Sequence, residues 1–116
     1  MSLIKNMLTA TVMASVITVS GFASDDLVKT GEKIFTTNTK GNCIACHAVN
    51  GKELDGPGTM GPILQSLSAW PEQALYDKIY DPYTTNPISV MPAFGKNGWL
   101  TDAEIKALVY YLKTIN

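Results

Sequence analysis

Cys43-Ile44-Ala45-Cys46-His47 is the stretch around which the rest of the chain is organised. Two thiols three positions apart, with an imidazole directly after them, form the attachment pattern of a c-type haem. The chemistry explains the spacing. Two thiols add across the two vinyl groups of the porphyrin as thioethers, so they must lie within one short turn. The next residue is then carried beneath the iron as its proximal ligand. Cys43 and Cys46 are therefore the expected thioether residues, and His47 the expected axial ligand, of one covalently bound haem c.

Other chemistries of a C-x-x-C pair fit less well. A dithiol redox motif belongs beside a βαβ pattern, and no strand pattern precedes Cys43. A structural zinc site needs four ligands, whereas the chain offers two cysteines and one histidine. The single histidine also excludes bis-histidine ligation and a second haem of this type.

The sixth iron ligand has to come from elsewhere, and beyond residue 23 the candidates are Met60 and Met91. Met/His ligation raises the iron potential and suits electron transfer. Met91 lies in Ile88-Ser89-Val90-Met91-Pro92-Ala93-Phe94-Gly95, a loop bounded by Pro87 and Pro92. Proline restricts the backbone there and can hold a weakly bound thioether in place. Met91 is accordingly the expected partner of His47 on the metal. Met60, in the turn Gly58-Thr59-Met60-Gly61, is expected to be a packing residue. A ligating histidine usually donates its other ring N–H to a carbonyl, and Gly61-Pro62-Ile63-Leu64 is the expected source. No residue is singled out as catalytic.

Outward from this motif the chain carries three helical patterns. Leu27, Val28, Gly31, Ile34 and Phe35 recur at helical spacing between about Asp25 and Thr37. A second pattern covers about Pro71 to Tyr80, with Pro71 suited to the first helical position and Pro82 stopping the run. The third is the clearest. Thr101 and Glu104 form a capping-box pair, and Ile105, Leu108, Leu112 and Ile115 make one apolar face. No segment alternates in the manner of a strand, and Asn50–Met60 and Pro82–Trp99 read as loops. The expected fold is all-α, with three to four short helices wrapped round one haem.

Residues 1–23 read as a secretory signal rather than as part of this domain. Lys5 precedes the uncharged, mostly apolar run Met7–Ser20, and Gly21-Phe22-Ala23 has small residues at the cleavage positions. The run is shorter than the roughly 20 apolar residues of a membrane span, so a domain of residues 24–116 with no span after processing is expected in the periplasm. That domain holds eight lysines against ten acidic residues and no arginine. A nucleic-acid or polyanion binder needs a basic patch, and this near-neutral balance argues against that class. At 93 residues the domain buries only about 60–65% of its unfolded surface, and a porphyrin in the core would add much of what is missing.

The residues now resemble class I cytochrome c over nearly all of 27–116. Gly31 and Phe35 match the glycine/aromatic pair at the crossing of the terminal helices, and Leu108 and Tyr111 match its partner face. A narrower resemblance is carried by Lys40-Gly41-Asn42-Cys43, Gly61-Pro62-Ile63-Leu64, Val90-Met91-Pro92-Ala93-Phe94-Gly95 and Leu100-Thr101. These are similar to the SoxX family, the monohaem subunits of SoxAX cytochrome complexes of sulfur oxidation. The resemblance implies a heterodimer with a SoxA-type cytochrome. The catalytic centre would lie on that partner, which couples thiosulfate oxidatively to the cysteine of a SoxYZ carrier. The monohaem subunit would accept the released electrons and pass them to a downstream acceptor. Pro is common in that family where Ile63 and Ala93 stand here, a departure that leaves the haem residues untouched. A free periplasmic class I carrier with another respiratory donor shares most of these features and stays open as the alternative. For the partner, an apolar surface formed by Ile44, Ala45, Ile88, Val90, Pro92, Ala93 and Phe94 is expected near the haem edge.

Overall fold

Why a chain with so few regular elements holds together is clearest where its first and last helices cross. The computed structural model describes residues 24–116, and the signal-sequence reading of 1–23 lies outside them. Helix α1 occupies 24–36, α2 Glu72–Tyr80 and α3 Asp102–Leu112. Short 3-10 turns stand at Cys43–Ala45, Leu67–Ala69 and Pro82–Thr84. Among the described residues there is no strand, only an isolated parallel bridge between Val49 and Leu64. The all-α expectation holds.

At the crossing, Gly31 of α1 lies directly on α3. A β-carbon there would sit 2.7 Å from the Ala107 carbonyl carbon and 2.8 Å from Tyr111 Cβ, so only glycine permits the approach. One turn on, the Phe35 ring meets Tyr111 with centroids 5.4 Å apart and planes tilted by 58°. Such a pair adds about 0.5–1.5 kcal/mol beyond the area it buries. Ile34, Phe35, Ile105, Leu108, Leu112 and Ile115 are all buried around it, with Leu27 and Val28 half-buried at the edge.

Helix α3 begins as its sequence requires. The Thr101 hydroxyl accepts from the Glu104 amide at 3.2 Å, and the Glu104 carboxylate accepts from the Thr101 amide at 3.1 Å. Two otherwise unpaired donors are thereby satisfied, a cap typically contributing about 1 kcal/mol. Pro71 departs slightly from expectation. It is the N-cap of α2 rather than its first residue, because its ψ of 140° is extended. Its carbonyl still accepts from the amides of Ala74 and Leu75. Leu75 and Ile79 bury one face of α2 against the core. Asp81, with ψ of 91°, leaves the helix before Pro82, and its carboxylate accepts from the Tyr83 amide at 3.0 Å.

The end of the chain closes the domain. The Ser66 amide donates to the Asn116 carbonyl at 2.9 Å and the Ser68 amide to the Ile115 carbonyl at 3.0 Å. Lys113 adds an ammonium–carbonyl bond to Ser68 at 2.8 Å. The segment that follows the Cys43–His47 motif is thus tied to the end of α3. No helix among the described residues is long and apolar enough to cross a membrane.

Candidate haem site

The motif is presented by a tight turn whose backbone explains its flanking residues. Asn42, with φ of 48°, is in the left-handed region that asparagine tolerates better than most side chains, and it opens the 3-10 turn. The amides of Cys46 and His47 both donate to the Cys43 carbonyl, at 3.1 and 2.9 Å. Cys43 and Cys46 are each partly buried and are not joined in a disulfide. Burial pushes the Cys43 thiol up to about 12. The thiols and the imidazole do not converge on a point: among the described residues no three cysteine, histidine or acidic side chains form a metal-ion cluster.

The turn Gly58–Gly61 lies flat against the back of this motif. The Gly58 amide donates to the Ile44 carbonyl at 2.9 Å, and the Gly61 amide to the Cys46 carbonyl at 2.8 Å. Gly61 also abuts the His47 ring, where a β-carbon would come within 2.7 Å of Nδ1 and 2.8 Å of Nε2. The next carbonyl along, that of Pro62, lies 2.7 Å from His47 Nδ1. A carbonyl can only accept, so Nδ1 carries the proton, and the lone pair of a neutral ring is left on Nε2. The source of this carbonyl is the one expected from the sequence. The bridge of Val49 to Leu64, with the Leu64 amide donating to Ala48 and the Asn50 amide to Leu64, holds the two segments in register.

The two methionines differ sharply. Met91 is half-buried and packs against the hydrophobic core, and the Ser89 hydroxyl donates to its carbonyl at 3.1 Å. Met60 is 71% exposed, so it is not the packing residue expected from the sequence. The turn is committed to flattening itself on His47, which leaves Met60 on its outer side with no core to enter. A second correction concerns the apolar surface near Met91. Ala93 and Phe94 are buried in the core and cannot belong to it, while Ile44 and Pro92 are only partly accessible. Ile88 and Val90, at 87% and 73%, remain exposed, joined by Met60 and by Ile63 at 60%.

These residues fit a covalently attached porphyrin. Its attachment needs two thiols and an oriented imidazole, and its faces need apolar cover. The first is present in Cys43, Cys46 and His47, and the second in Ile44, Leu64 and Met91, half-buried apolar side chains packed against the core beside the motif. When bound, the haem supplies one-electron chemistry. The protein's own part is to fix the His47 ring through Pro62 and to exclude water with apolar side chains.

The packing of Gly58 on Ala45 and of Gly61 on His47, and the C-terminal tie to Ser66 and Ser68, are not among the expectations from the sequence. The spacing of glycines in Gly56-Pro57-Gly58-Thr59-Met60-Gly61 was the available signal.

Comparison with known proteins agrees with this geometry. Residues 26–112 match the sequence family described as cytochrome C oxidase, cbb3-type, subunit III. An uncharacterized lipoprotein of Aquifex aeolicus (strain VF5) is 37% identical over 75 residues, which cover 63% of this chain and 36% of the relative. The chain thus spans only about a third of that relative's length. Among solved structures, that of SoxXA from P. pantotrophus superimposes with a TM-score of 0.66 at 29% identity, covering 74% of this chain and 79% of that one.

Proposed function

The chain belongs to the family described as cytochrome C oxidase, cbb3-type, subunit III, and from its likeness to the solved SoxXA structure we propose that it works as the monohaem, electron-accepting subunit of a SoxAX-type complex. It is a SoxX-like, electron-transfer monohaem cytochrome with one covalently bound haem c. Within that description, Cys43 and Cys46 carry the thioethers, His47 is the proximal ligand and Met91 the distal one. The Pro62 carbonyl on His47 Nδ1 supports the proximal assignment, and the half-buried position of Met91 against the exposed Met60 supports the distal one.

The observation that carries the complex is the character of the surface around these loops. Met60, Ile63, Ile88 and Val90 stand exposed, and no lysine occurs between Lys52 and Lys78 or between Lys78 and Lys96. A carrier that meets many partners briefly docks through small interfaces, whereas a permanent subunit presents an apolar centre depleted of charge. The partner in this reading is a SoxA-type cytochrome, where thiosulfate is coupled to the SoxYZ carrier cysteine. This subunit takes up the electrons and hands them to a downstream acceptor. The setting is the periplasm, with residues 1–23 acting as the export signal that is then removed.

Co-purification tests the reading. The protein should elute with a larger haem-bearing subunit and stay with it at ionic strengths that screen exposed charges. A pair that salt separates readily, or a protein that emerges alone, would support a free periplasmic carrier for another donor.

A further inference from the structure

The segment Met91-Pro92-Ala93-Phe94-Gly95 ends on a glycine whose backbone does not need one. Gly95 is absent from the positive-φ glycines, which are Gly51, Gly56 and Gly98. What excludes a side chain there is the ring of Tyr80, the last residue of α2. A β-carbon on Gly95 would lie within 2.8 Å of both Tyr80 Cγ and Cε2. Tyr80 also holds the same segment by its backbone, since its carbonyl accepts from the Gly95 amide at 3.2 Å and the Lys96 amide at 3.0 Å.

Tyr80 is 43% exposed, so core burial alone does not account for an aromatic ring at this position. It is nonetheless held firmly. Its ring stacks on Tyr76 with centroids 6.0 Å apart and planes within 12°. The Tyr76 hydroxyl in turn donates to the Asp102 carboxylate at 2.7 Å, at the start of α3. Lys96 reaches back to the Asp81 carboxylate at 3.7 Å. Between Met91 and this clamp the chain has little freedom: Ala93 and Phe94 are buried, the Asn97 amide donates to the Ala93 carbonyl, and those of Trp99 and Leu100 donate to that of Phe94.

We infer that the Tyr80–Gly95 contact is a positioning device that sets how far the Met91 loop can move away from the core, and so how firmly the distal ligand is held. The inference rests on the assignment of Met91 as that ligand. The C-terminus of α2 anchors the loop on its far side from Met91, and the ring of Tyr80 fills the space into which the loop would otherwise shift. A thioether binds iron weakly, so a small displacement of the loop is enough to change its occupancy.

The test uses the haem-loaded protein and three variants, read by the methionine–iron charge-transfer band of the oxidised form and by imidazole titration. Gly95→Ala forces the Tyr80 ring away and should lose most of the band, with imidazole binding tightened on the order of tenfold. Tyr80→Ala should weaken the band while covalent haem content stays full. The double variant Gly95→Ala, Tyr80→Ala should recover band intensity relative to Gly95→Ala alone, because the added methyl then meets no ring. A purely structural role predicts a lowered melting temperature in all three with band and imidazole affinity unchanged, and that result overturns the inference. Met91→Ala serves as the reference. If it keeps the band, the ligand assignment itself fails; if it loses the band while Gly95→Ala and Tyr80→Ala keep theirs, only the positioning role fails.

Discussion

The imidazole of His47 and the carbonyl of Pro62 stand 2.7 Å apart across a separation of fifteen residues. Gly61 makes this contact possible, because it brings the Pro62 carbonyl to the ring edge with no side chain between. Gly61→Ala should therefore push the ring off its carbonyl and destabilise the holoprotein by about 1–3 kcal/mol, as overpacking typically does. Thermal melts of the haem-loaded variant check the magnitude, and loss of the hydrogen-bonded Nδ1–H resonance in the reduced protein checks the cause.

The crossing of α1 and α3 sets a second expectation. Phe35→Ala removes a fully buried ring in contact with Tyr111 and should cost about 3–5 kcal/mol. Gly31→Ala adds one methyl instead, yet it meets the backbone of Ala107, which cannot rotate aside. Both should lower the denaturation midpoint. Gly31→Ala should also weaken the Phe35–Tyr111 contact by separating the helices, visible as a loss of near-ultraviolet circular dichroism.

Glu104 ties stability to pH. Its carboxylate accepts from Lys40 at 2.8 Å and from the Thr101 amide, and these two interactions hold it below its ordinary value of 4.5. A carboxyl lowered on folding stabilises the folded state above the unfolded value, and that contribution disappears as pH falls through the folded value. Glu104→Gln keeps an acceptor for the cap but loses the charge. It should reduce stability near neutral pH by about 0.2–1 kcal/mol, since half of the Lys40 side chain is exposed. The difference from wild type should shrink below about pH 4.5. Denaturant melts across that range decide it, and a difference that persisted in acid would assign the effect to the cap alone.

Haem removal gives the last expectation. Among the described residues the core consists of three helices and loops, and Ile44, Leu64 and Met91 beside the motif are only half-buried by the polypeptide. A Cys43→Ser, Cys46→Ser variant that cannot attach the cofactor should melt without cooperativity and bind a hydrophobic dye. A sharp, native-like transition in that variant would show that the polypeptide core suffices.

The legible parts of the chain were those governed by local chemistry. Helix α3 could be read from Thr101, Glu104 and its apolar repeat because a cap and a helical stripe involve residues a few positions apart. The Cys43–His47 motif was legible for the same reason, together with the all-α class, and the carbonyl of Pro62 because a ligating histidine needs an acceptor for its second ring N–H. Pro71 shifted by a single position because propensity marks a helix start without distinguishing the capping residue from the first one inside.

What tertiary structure alone decided was which side of each loop faces the core. Met60 and Phe94 are both apolar loop residues next to glycine, and nothing in their immediate neighbours separates an exposed methionine from a buried phenylalanine. The separation comes from long-range contacts: Gly61 is pressed on His47, so Met60 turns outward, and Gly95 is pressed under Tyr80, so Phe94 turns into the core. Fifteen residues divide Tyr80 from Gly95 as well as His47 from Pro62. A turn residue's neighbours in sequence determine its backbone, but its exposure is set by whichever distant segment packs against it.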